Sequence, residues 1–532
     1  MISLTLLVGG CSIVLDPGSL RGGGGFDADT DPDARVAEDA GPDARTADDA
    51  GDAGETDPDG GGCVAGEMMC GGGCVDTRTS NAHCGACDNA CDAEQSCVAG
   101  ECRPSVEIGV SFGGSGWDSA RGVASDSLGN VYVVGEFRDT VDFGGGDLTS
   151  DGGIDAYVVS FTAAGAYRWA RRFGGPAEDK LQSVAFSDTA GVIVAGYFSN
   201  TVDFGTGAVV SAGGTDGFVA ALDPDDGATR WVDGFGGADA DHASGVAVDG
   251  DEIYVAGDHR GPFTFDGSVG HDGEGDGVVL AYRSTGTAAT RRWAFELGGA
   301  GFDAVDAVAV SPDGTRVCAA GWFSASVTLG GTGVASAGDV DGILLCLTAS
   351  GSYDWHTTLG SAGYDALAGV SFGSDFVAVT GIFSADTSFG STPLSSVGGW
   401  DAVVAAVSVS GAPLWASSIP SPGDFDYALD VQVGPTDRVT MVAIMQGEVS
   451  LPGAPLAHAG GQDGFIGTWS RDGSLAWARL YGSSLDDALI GLAYSPGGEL
   501  WAVGEFHLTV DFGLGPFTAA GDYDAVVLRY AP

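Results

Sequence analysis

The chain has a single lysine, Lys180, and 21 basic residues in all against 73 acidic ones, a net charge of -52. Nucleic acid and anionic lipid headgroups both need a basic patch, so this balance excludes them as partners. No run approaches the roughly 20 apolar residues that a membrane-spanning helix requires, and no stretch places apolar residues at the 3.6-residue helical period. HExxH, GxSxG, phosphate-loop and dinucleotide glycine motifs are all missing. The seven histidines, His83, His242, His259, His271, His356, His458 and His507, fall at no metal-ligand spacing. These absences remove the common hydrolase, kinase and dehydrogenase signatures. An enzyme remains only as a site assembled from several distant segments, which would leave no local motif.

What is present is a repeat. The first copy runs through Phe112-Gly113-Gly114, Asp118, Val131-Tyr132-Val133-Val134-Gly135, Val141-Asp142-Phe143-Gly144, Asp155 and Trp169. Its opening anchor recurs at Phe173, Phe235, Leu297, Leu359, Ile419 and Leu480, a spacing of 60 to 62 residues. A fixed period of this size marks a radial or solenoid array, in which each unit buries its apolar faces only against its neighbours. The apolar segments are short, β-branched and bounded by Gly, Asp, Ser and Pro, which is strand chemistry. In the first copy four strands are predicted: A over Gly122 to Ser125, B over Asn130 to Phe137, C over Ala156 to Thr162 and D over Tyr167 to Arg172. B and C are apolar at successive positions, as suits a sheet covered on both faces.

The seventh copy stops after its strand C at Leu528-Arg529-Tyr530. Val106 to Ser111 precede Phe112 just as Tyr167 to Arg172 precede Phe173, so the N-terminal segment supplies the missing strand and shuts the ring. The expectation is an all-β, closed seven-bladed β-propeller over 105–532, made of four-stranded antiparallel blades. The chain resembles the bacterial propeller-repeat proteins, on Asp118, Gly122 to Ser125 and Gly129 to Gly144; that family implies an architecture and not an activity.

Three unlike zones precede the ring. Ile2 to Gly10 is apolar and ends in small residues before Cys11. It resembles a bacterial lipoprotein signal, which implies removal of 1–10, lipid on Cys11 and an exported protein held at the outer membrane or cell surface. Residues 11–62 are rich in Asp, Ala, Gly and Pro and offer too little apolar surface to fold, so they read as a disordered acidic tether. Asp27 to Asp33 alternates like a calcium loop but lacks the Gly and closing Glu of an EF-hand, which leaves calcium a minor alternative and no cofactor as the main expectation.

Residues 63–102 hold Cys63, Cys70, Cys74, Cys84, Cys87, Cys91, Cys97 and Cys102 with hardly any apolar core. The even count behind an export signal favours four disulfides of undetermined pairing; zinc, suggested by Cys84-Gly85-Ala86-Cys87 beside His83, lacks its second CxxC. The segment is similar to the cysteine-rich domain of plant stigma-specific proteins, on Cys70-Gly71-Gly72-Gly73-Cys74, Cys84-Gly85-Ala86-Cys87 and Cys97-Val98-Ala99-Gly100-Glu101-Cys102. Cys318 and Cys346 stand on strands B and C of the fourth blade. If Phe323 lies opposite Asp341 they face each other, either as a cross-strand disulfide or as two buried thiols.

Two aspartates recur in every unit. Asp118, Asp179, Asp241, Asp303, Asp365, Asp426 and Asp486 precede strand A; Asp155, Asp216, Asp276, Asp341, Asp401, Asp463 and Asp524 precede strand C. Both connections emerge on one face of the disc, which therefore bears all of them. A cation site, a catalytic pair and a backbone cap at a strand start are the candidate roles, and repetition favours the cap, because catalysis needs a group once and structure needs it in every blade. Trp169, Trp231, Trp293, Trp355, Trp415 and Trp477 stand on strand D, with Ile108 in the equivalent place on the closing strand. Leu222 to Trp231 also resembles the Trp-docking repeat of pyrroloquinoline-quinone dehydrogenases, although that family has eight blades and vicinal cysteines that this chain lacks.

The reading that results is a non-enzymatic, surface-anchored binding or scaffold protein, monomeric, whose partner is a protein or saccharide and whose only membrane attachment is lipid. The alternative is a hydrolase, lyase or quinoprotein-like enzyme on the same face. A single unrepeated polar cluster in a deep central pocket would point to the enzyme; repeat-equivalent residues on a shallow face would point to binding. Since a common blade needs roughly 40 to 50 residues, the excess between strands B and C, as in Arg138 to Ile154, is expected to crown the Asp-bearing face. The third and sixth blades, with His259-Arg260-Gly261-Pro262 and Gln446-Gly447-Glu448, are expected to break its symmetry.

Overall fold

The computed structural model of the chain describes residues 105–451 and 455–531, together with short pieces of the first 104. The chain divides into two compact units, of which the larger holds most of the described residues. Among them the larger unit forms seven four-stranded antiparallel sheets. In blade 1 strand A is Ser119–Ser125, B is Val131–Phe137, C is Asp155–Phe161 and D is Tyr167–Phe173. In blades 2 to 7, A is Lys180–Ser187, Asp241–Asp249, Ala304–Val310, Ala366–Phe372, Tyr427–Val433 and Ala488–Tyr494. Successive strands A pack on one another, and the last packs on the first, so they form the innermost wall of a closed propeller.

Closure occurs as the sequence predicts. Val106–Phe112 pairs antiparallel with Asp524–Tyr530, from Ala525 opposite Phe112 to Tyr530 opposite Val106. The seventh sheet is thus built from both ends of the ring, and strand C of blade 7 is left with no open edge to template pairing with another chain. Every residue of Val131–Phe137 and of Asp155–Phe161 is buried, which explains why those strands read as unbroken apolar runs.

Strand D carries the lock between blades. Trp169 Nε1 donates to the Pro224 carbonyl at 3.0 Å, Trp293 to Ala349 at 3.2 Å, Trp355 to Val409 at 3.0 Å and Trp415 to Arg471 at 2.9 Å, each acceptor lying in the C-to-D turn of the next blade. A glycine of that turn covers the indole: a Cβ on Gly227, Gly351, Gly411 or Gly473 would fall 2.6, 2.6, 2.6 or 2.8 Å from the ring. All four have φ between 73° and 86°, so the turn needs glycine for its backbone as well. Ile108 takes the equivalent place against Gly165, whose Cβ would lie 2.8 Å from it. Blade 7 has no C-to-D turn, and Trp477 stacks on Tyr530 instead, with centroids 6.0 Å apart.

Three expectations need revision. The seventh anchor is Tyr481 and not Leu480: Tyr481 lies opposite Gly464, as Phe173 lies opposite Ala156. It meets Phe512 at 5.5 Å, as Phe112 meets Phe143 at 5.0 Å and Phe173 meets Phe204 at 5.7 Å. The B-to-C insertions are not free loops over the face. In blade 1 the insertion is a hairpin, Thr140–Asp142 with Asp147–Thr149, that buries Val141 and Phe143. Asp142 Oδ1 closes its turn by accepting from Gly144 and Gly146 at 2.8 and 2.9 Å, and Tyr167 on the outer strand lies against Gly144 and Gly145. The Val-Asp-Phe-Gly motif therefore spends the extra length on a peripheral clasp between neighbouring blades. The third revision, in the seventh blade's aspartate, belongs to the site.

Phe323 does stand opposite Asp341, and Cys318 and Cys346 face each other and are bonded. In the smaller unit Met68–Cys70 pairs with Gly73–Val75, Cys70 is bonded to Cys87, and Cys74 is also in a disulfide. The bonds of Cys63, Cys84, Cys91, Cys97 and Cys102, the lipidation of Cys11, the tether and the Asp27 to Asp33 run lie outside the described residues. Among the described residues no helix is long and apolar enough to cross a membrane.

Candidate functional site

Each repeated aspartate closes a backbone loop. The carboxylate before strand C accepts the N–H four residues back, from Asp151 to Asp155 at 3.0 Å, Ala212 to Asp216 at 2.9 Å, Asp272 to Asp276 at 2.8 Å, Ala337 to Asp341 at 2.9 Å, Val397 to Asp401 at 2.8 Å, Ala459 to Asp463 at 2.7 Å and Ala520 to Asp524 at 3.1 Å. The carboxylate before strand A ties two segments together. Asp179 accepts from Gly175 at 2.7 Å and from Ser199, within the long strand B of blade 2, at 2.9 Å; Asp118 accepts from Gly114 at 2.6 Å and Arg138 at 3.2 Å. Asp303 and Asp365 accept from Ser324 at 2.9 Å and Ser384 at 3.1 Å, and Asp241 from Gly237 at 2.6 Å. In the seventh blade this position belongs to Asp487, which accepts from Ser483 at 2.5 Å and His507 at 2.6 Å. Asp486 is exposed, its own carboxylate accepting from Gln462 at 2.9 Å.

The two sets meet across blade boundaries. Asp524 raises the pKa of Asp118, as Asp155 does for Asp179, Asp216 for Asp241, Asp276 for Asp303, Asp341 for Asp365 and Asp401 for Asp426; Asp487 does the same to Asp463. Burial is the larger cause throughout, and with backbone donors opposing it the carboxyls of Asp118, Asp241 and Asp303 are pushed up to about 7 and that of Asp426 to about 6. Seven carboxylate pairs thus ring one face, each buried and engaged by backbone, which is the geometry of a cap. Among the described residues no three His, Cys, Asp or Glu side chains converge to hold a metal ion.

The sevenfold pattern breaks nearer the axis. Strand A has a β-bulge near its start in every blade, and the extra residues are Arg121, Gln182, Ser244, Asp306, Ala368, Leu429 and Ile490. All are half-buried, whereas the residue before each is buried. One end of strand B supplies a second column facing the next blade: Glu136, Tyr197, Asp258, Trp322, Ile382, Ile444 and Glu505. Both columns are polar in blades 1 to 3 and mostly apolar in blades 5 and 6. Repeat packing does not require this, so these columns are where the chain departs from its own architecture.

The polar side is connected. Arg121 donates through Nε and Nη2 to Glu136 Oε1 at 3.0 and 2.8 Å, and Trp117 Nε1 donates to Glu505 at 3.1 Å. Arg121 and Lys180 lie 5.7 and 5.6 Å from the Trp117 ring. Tyr197 packs on His242 at 4.6 Å, and His242 lies 3.1 Å from Asp258 and 3.0 Å from Thr215. Burial raises the carboxyls of Glu505 and, much further, Asp306, whose side chain bonds Trp322. From there the wall becomes aromatic: Phe302 to Trp322 at 5.2 Å, Trp322 to Tyr364 at 6.2 Å, Tyr364 to Trp400 at 5.2 Å and Trp400 to Tyr427 at 6.0 Å. Trp117, Phe302, Tyr364 and Trp400 immediately precede Asp118, Asp303, Asp365 and Asp401, so the belt opens on the Asp-bearing face. The third blade does contribute, through His242 and Asp258; His259 is buried with Nδ1 held 3.0 Å from the Gly261 carbonyl. The opposite face has a cleft of about 200 Å³ beside Trp477, Tyr494 and Pro496, where blade 7 lacks the turn that covers Trp in other blades.

None of the belt residues other than Lys180 and the histidines was singled out from the sequence. Lining up the seven copies and asking which column varies inside a buried strand would have found Glu136 and Glu505.

Residues 48–105 match the model of the Stigma-specific STIG1-like protein family, which covers the cysteine-rich segment and a small part of the chain. No curated protein matches. Among solved structures the chain is similar to the quinohemoprotein alcohol dehydrogenase ADHIIG of Pseudomonas putida HK5, at 11% identity and a TM-score of 0.38 over 81% of this chain and 78% of that one. It is similar to the quinohemoprotein alcohol dehydrogenase of Comamonas testosteroni at 11% and 0.37, over 79% and 76%. A Synechocystis apocarotenoid oxygenase matches at 12% and 0.35, over 80% and 94%.

Proposed function

We propose that this protein is an exported, lipid-anchored binding or scaffold module, held at the cell surface through Cys11, that offers the Asp-bearing face of its propeller to a saccharide or protein. The observation that carries this reading is the pair of symmetry-breaking columns at the axis: the repeated aspartates are buried and hold backbone in every blade, several with one oxygen left unpartnered, and the residues that distinguish one blade from another are the belt. Its aromatic side, with Tyr364 and Trp400 half-buried, suits the apolar face of a sugar or side chains of a protein. The test is capture of components from a cell-envelope extract by the full chain. Trp400→Ala and Tyr364→Ala are expected to lose capture, and Asp313→Ala in the A-to-B turn of the opposite face is expected to keep it; loss only with Asp313→Ala would sink the reading. Finding unmodified Met1 on membrane-extracted protein would remove the anchor.

The enzyme alternative draws on one observation, that the polar cluster is unrepeated and holds Glu505 and Asp306 with raised carboxyls. Turnover of captured material that disappears in Glu505→Gln would favour it.

A further inference from the structure

Two rings of the belt already carry a cation of the chain itself. Arg121 and Lys180 lie 5.7 and 5.6 Å from the Trp117 ring, and the exposed Arg260 lies over Phe302 at 5.0 Å. The Phe302 position is the first of three alike. At the boundary of blades 3 and 4 the exposed Glu274 donates its N–H to the Gly301 carbonyl at 3.0 Å, next to Phe302. At the boundary of blades 4 and 5 the exposed Asp339 donates to the Gly363 carbonyl at 3.2 Å, next to Tyr364, and at that of blades 5 and 6 Trp400 donates to the carbonyl of the exposed Asp424 at 3.1 Å. Tyr364 and Trp400 stack at 5.2 Å and 23°, which joins the second and third positions into one arc. Among the described residues no cation lies over Trp400, and the carboxylates of Asp339 and Asp424 have neither a hydrogen bond nor an ion pair. The arc repeats the surroundings of Phe302 without the arginine.

We infer that this arc on the Asp-bearing face docks a basic segment of a partner protein: an arginine guanidinium lies over Trp400 and pairs with the Asp424 carboxylate, and a second basic side chain pairs with Asp339 beside Tyr364. A guanidinium is weakly hydrated and stacks on an indole while its edge donates to a carboxylate, so one side chain uses both features of the arc. Both rings are half-buried and both carboxylates exposed, so all four are reached from solvent, and the net charge of -52 draws a basic partner toward them. A neutral saccharide would stack on the rings and gain nothing from the charge of the carboxylates; an anionic one would be repelled by it. This inference rests on the proposed binding role of the face and adds the partner's chemistry.

The full chain is titrated calorimetrically at physiological salt with a short capped peptide of alternating arginine and threonine, with the same peptide carrying neutral citrulline in place of arginine, and with the neutral tetramer of N-acetylglucosamine. The arginine peptide is expected to bind about tenfold or more tightly than the citrulline one, and to lose affinity by about the same factor in Trp400→Ala and in the double variant Asp339→Asn, Asp424→Asn. The double variant Asp188→Asn, Asp251→Asn removes the same charge from exposed A-to-B turns of the opposite face and is expected to change nothing. Equal losses in the two double variants would show attraction to the net charge and not to the arc. Equal binding of the citrulline peptide, or tighter binding of the tetramer, would likewise overturn the inference, the latter by giving the arc to a saccharide. If this inference alone is wrong, Trp400→Ala still loses capture from the envelope extract while Asp339→Asn, Asp424→Asn keeps it; if the binding role is wrong, neither changes capture.

Discussion

Pro422 stands four residues before Asp426, where Gly114, Gly175, Gly237, Gly299, Ser361 and Ser483 stand before the other strand-A carboxylates, and it has no N–H to give. Asp426 keeps the bond from Gln446 at 2.8 Å and leaves Oδ2 buried without a partner, whereas Asp365 accepts from Ser361 on one oxygen and Ser384 on the other. An asparagine at 365 must turn its NH₂ toward a backbone donor; at 426 it turns the NH₂ toward the side that has no backbone donor, where the Ser421 hydroxyl can accept. Asp365→Asn is expected to cost about 1–3 kcal/mol and Asp426→Asn clearly less, as read from urea unfolding of the two variants. Equal losses would mean the backbone bonds do not set the role of these residues.

Gly351 and Gly286 occupy matching C-to-D turns with φ of 83° and 85°. A methyl on Gly286 meets nothing within 4 Å, while one on Gly351 would lie 2.6 Å from Trp293. Gly286→Ala therefore carries only the left-handed backbone penalty of about 1–2 kcal/mol, and Gly351→Ala adds displacement of the indole and loss of its bond to Ala349. Tryptophan fluorescence during unfolding is expected to show the larger shift in stability for Gly351→Ala, with a changed native spectrum in that variant alone.

Asp487→Ala is expected to destabilise the ring, since it strands the Ser483 and His507 N–H groups, and Asp486→Ala to leave the melting temperature nearly unchanged. The reverse result would restore the assignment read from sequence. That assignment shows where a repeat stops being legible. The fold could be read because period, strand alternation and turn residues agree in every copy, and they placed the closing strand and the Cys318–Cys346 register correctly. Leu480-Tyr481 and Asp486-Asp487 are adjacent pairs of similar residues, so spacing admits either member, and only the hydrogen bonds separate them. The belt was missed for a different reason: Glu136 lies inside a buried strand between Gly135 and Phe137, and its meaning comes from comparison with Tyr197, Asp258 and Trp322 in the same column.

Deleting Val106 to Ser111 exposes strand C of blade 7 along its edge and removes the packing of Ile108 on Gly165, so it is expected to lower the melting temperature strongly and promote association through the open edge. Deleting Asp27 to Gly60 removes charge and no residue of 105–532, and is expected to change the melting temperature little. Thermal melts with light scattering compare the two; equal melting points would mean that the ring closes by another contact.

The carboxylate pairs also fix how stability responds to pH. A buried Asp whose folded pKa exceeds its unfolded value binds its proton more tightly in the folded state, so its contribution is fully present below about 4 and is lost as pH rises through the folded value. Asp118, Asp241 and Asp303 lie at about 7 and Asp426 at about 6, which places the loss between pH 4 and about 8. Carboxyls lowered by turn hydrogen bonds, such as Asp313 at about 2, act in the opposite direction but below pH 4. Self-repulsion of a chain with net charge -52 also grows over this range, and the two causes separate with salt: at 1 M the screening length is about 3 Å, which suppresses repulsion among exposed charges and leaves buried pairs largely untouched. The melting temperature is therefore expected to fall from pH 5 to pH 8 at low salt and to keep falling in 1 M NaCl. A flat or rising profile in high salt would show that the paired carboxylates are ionised in the folded ring throughout.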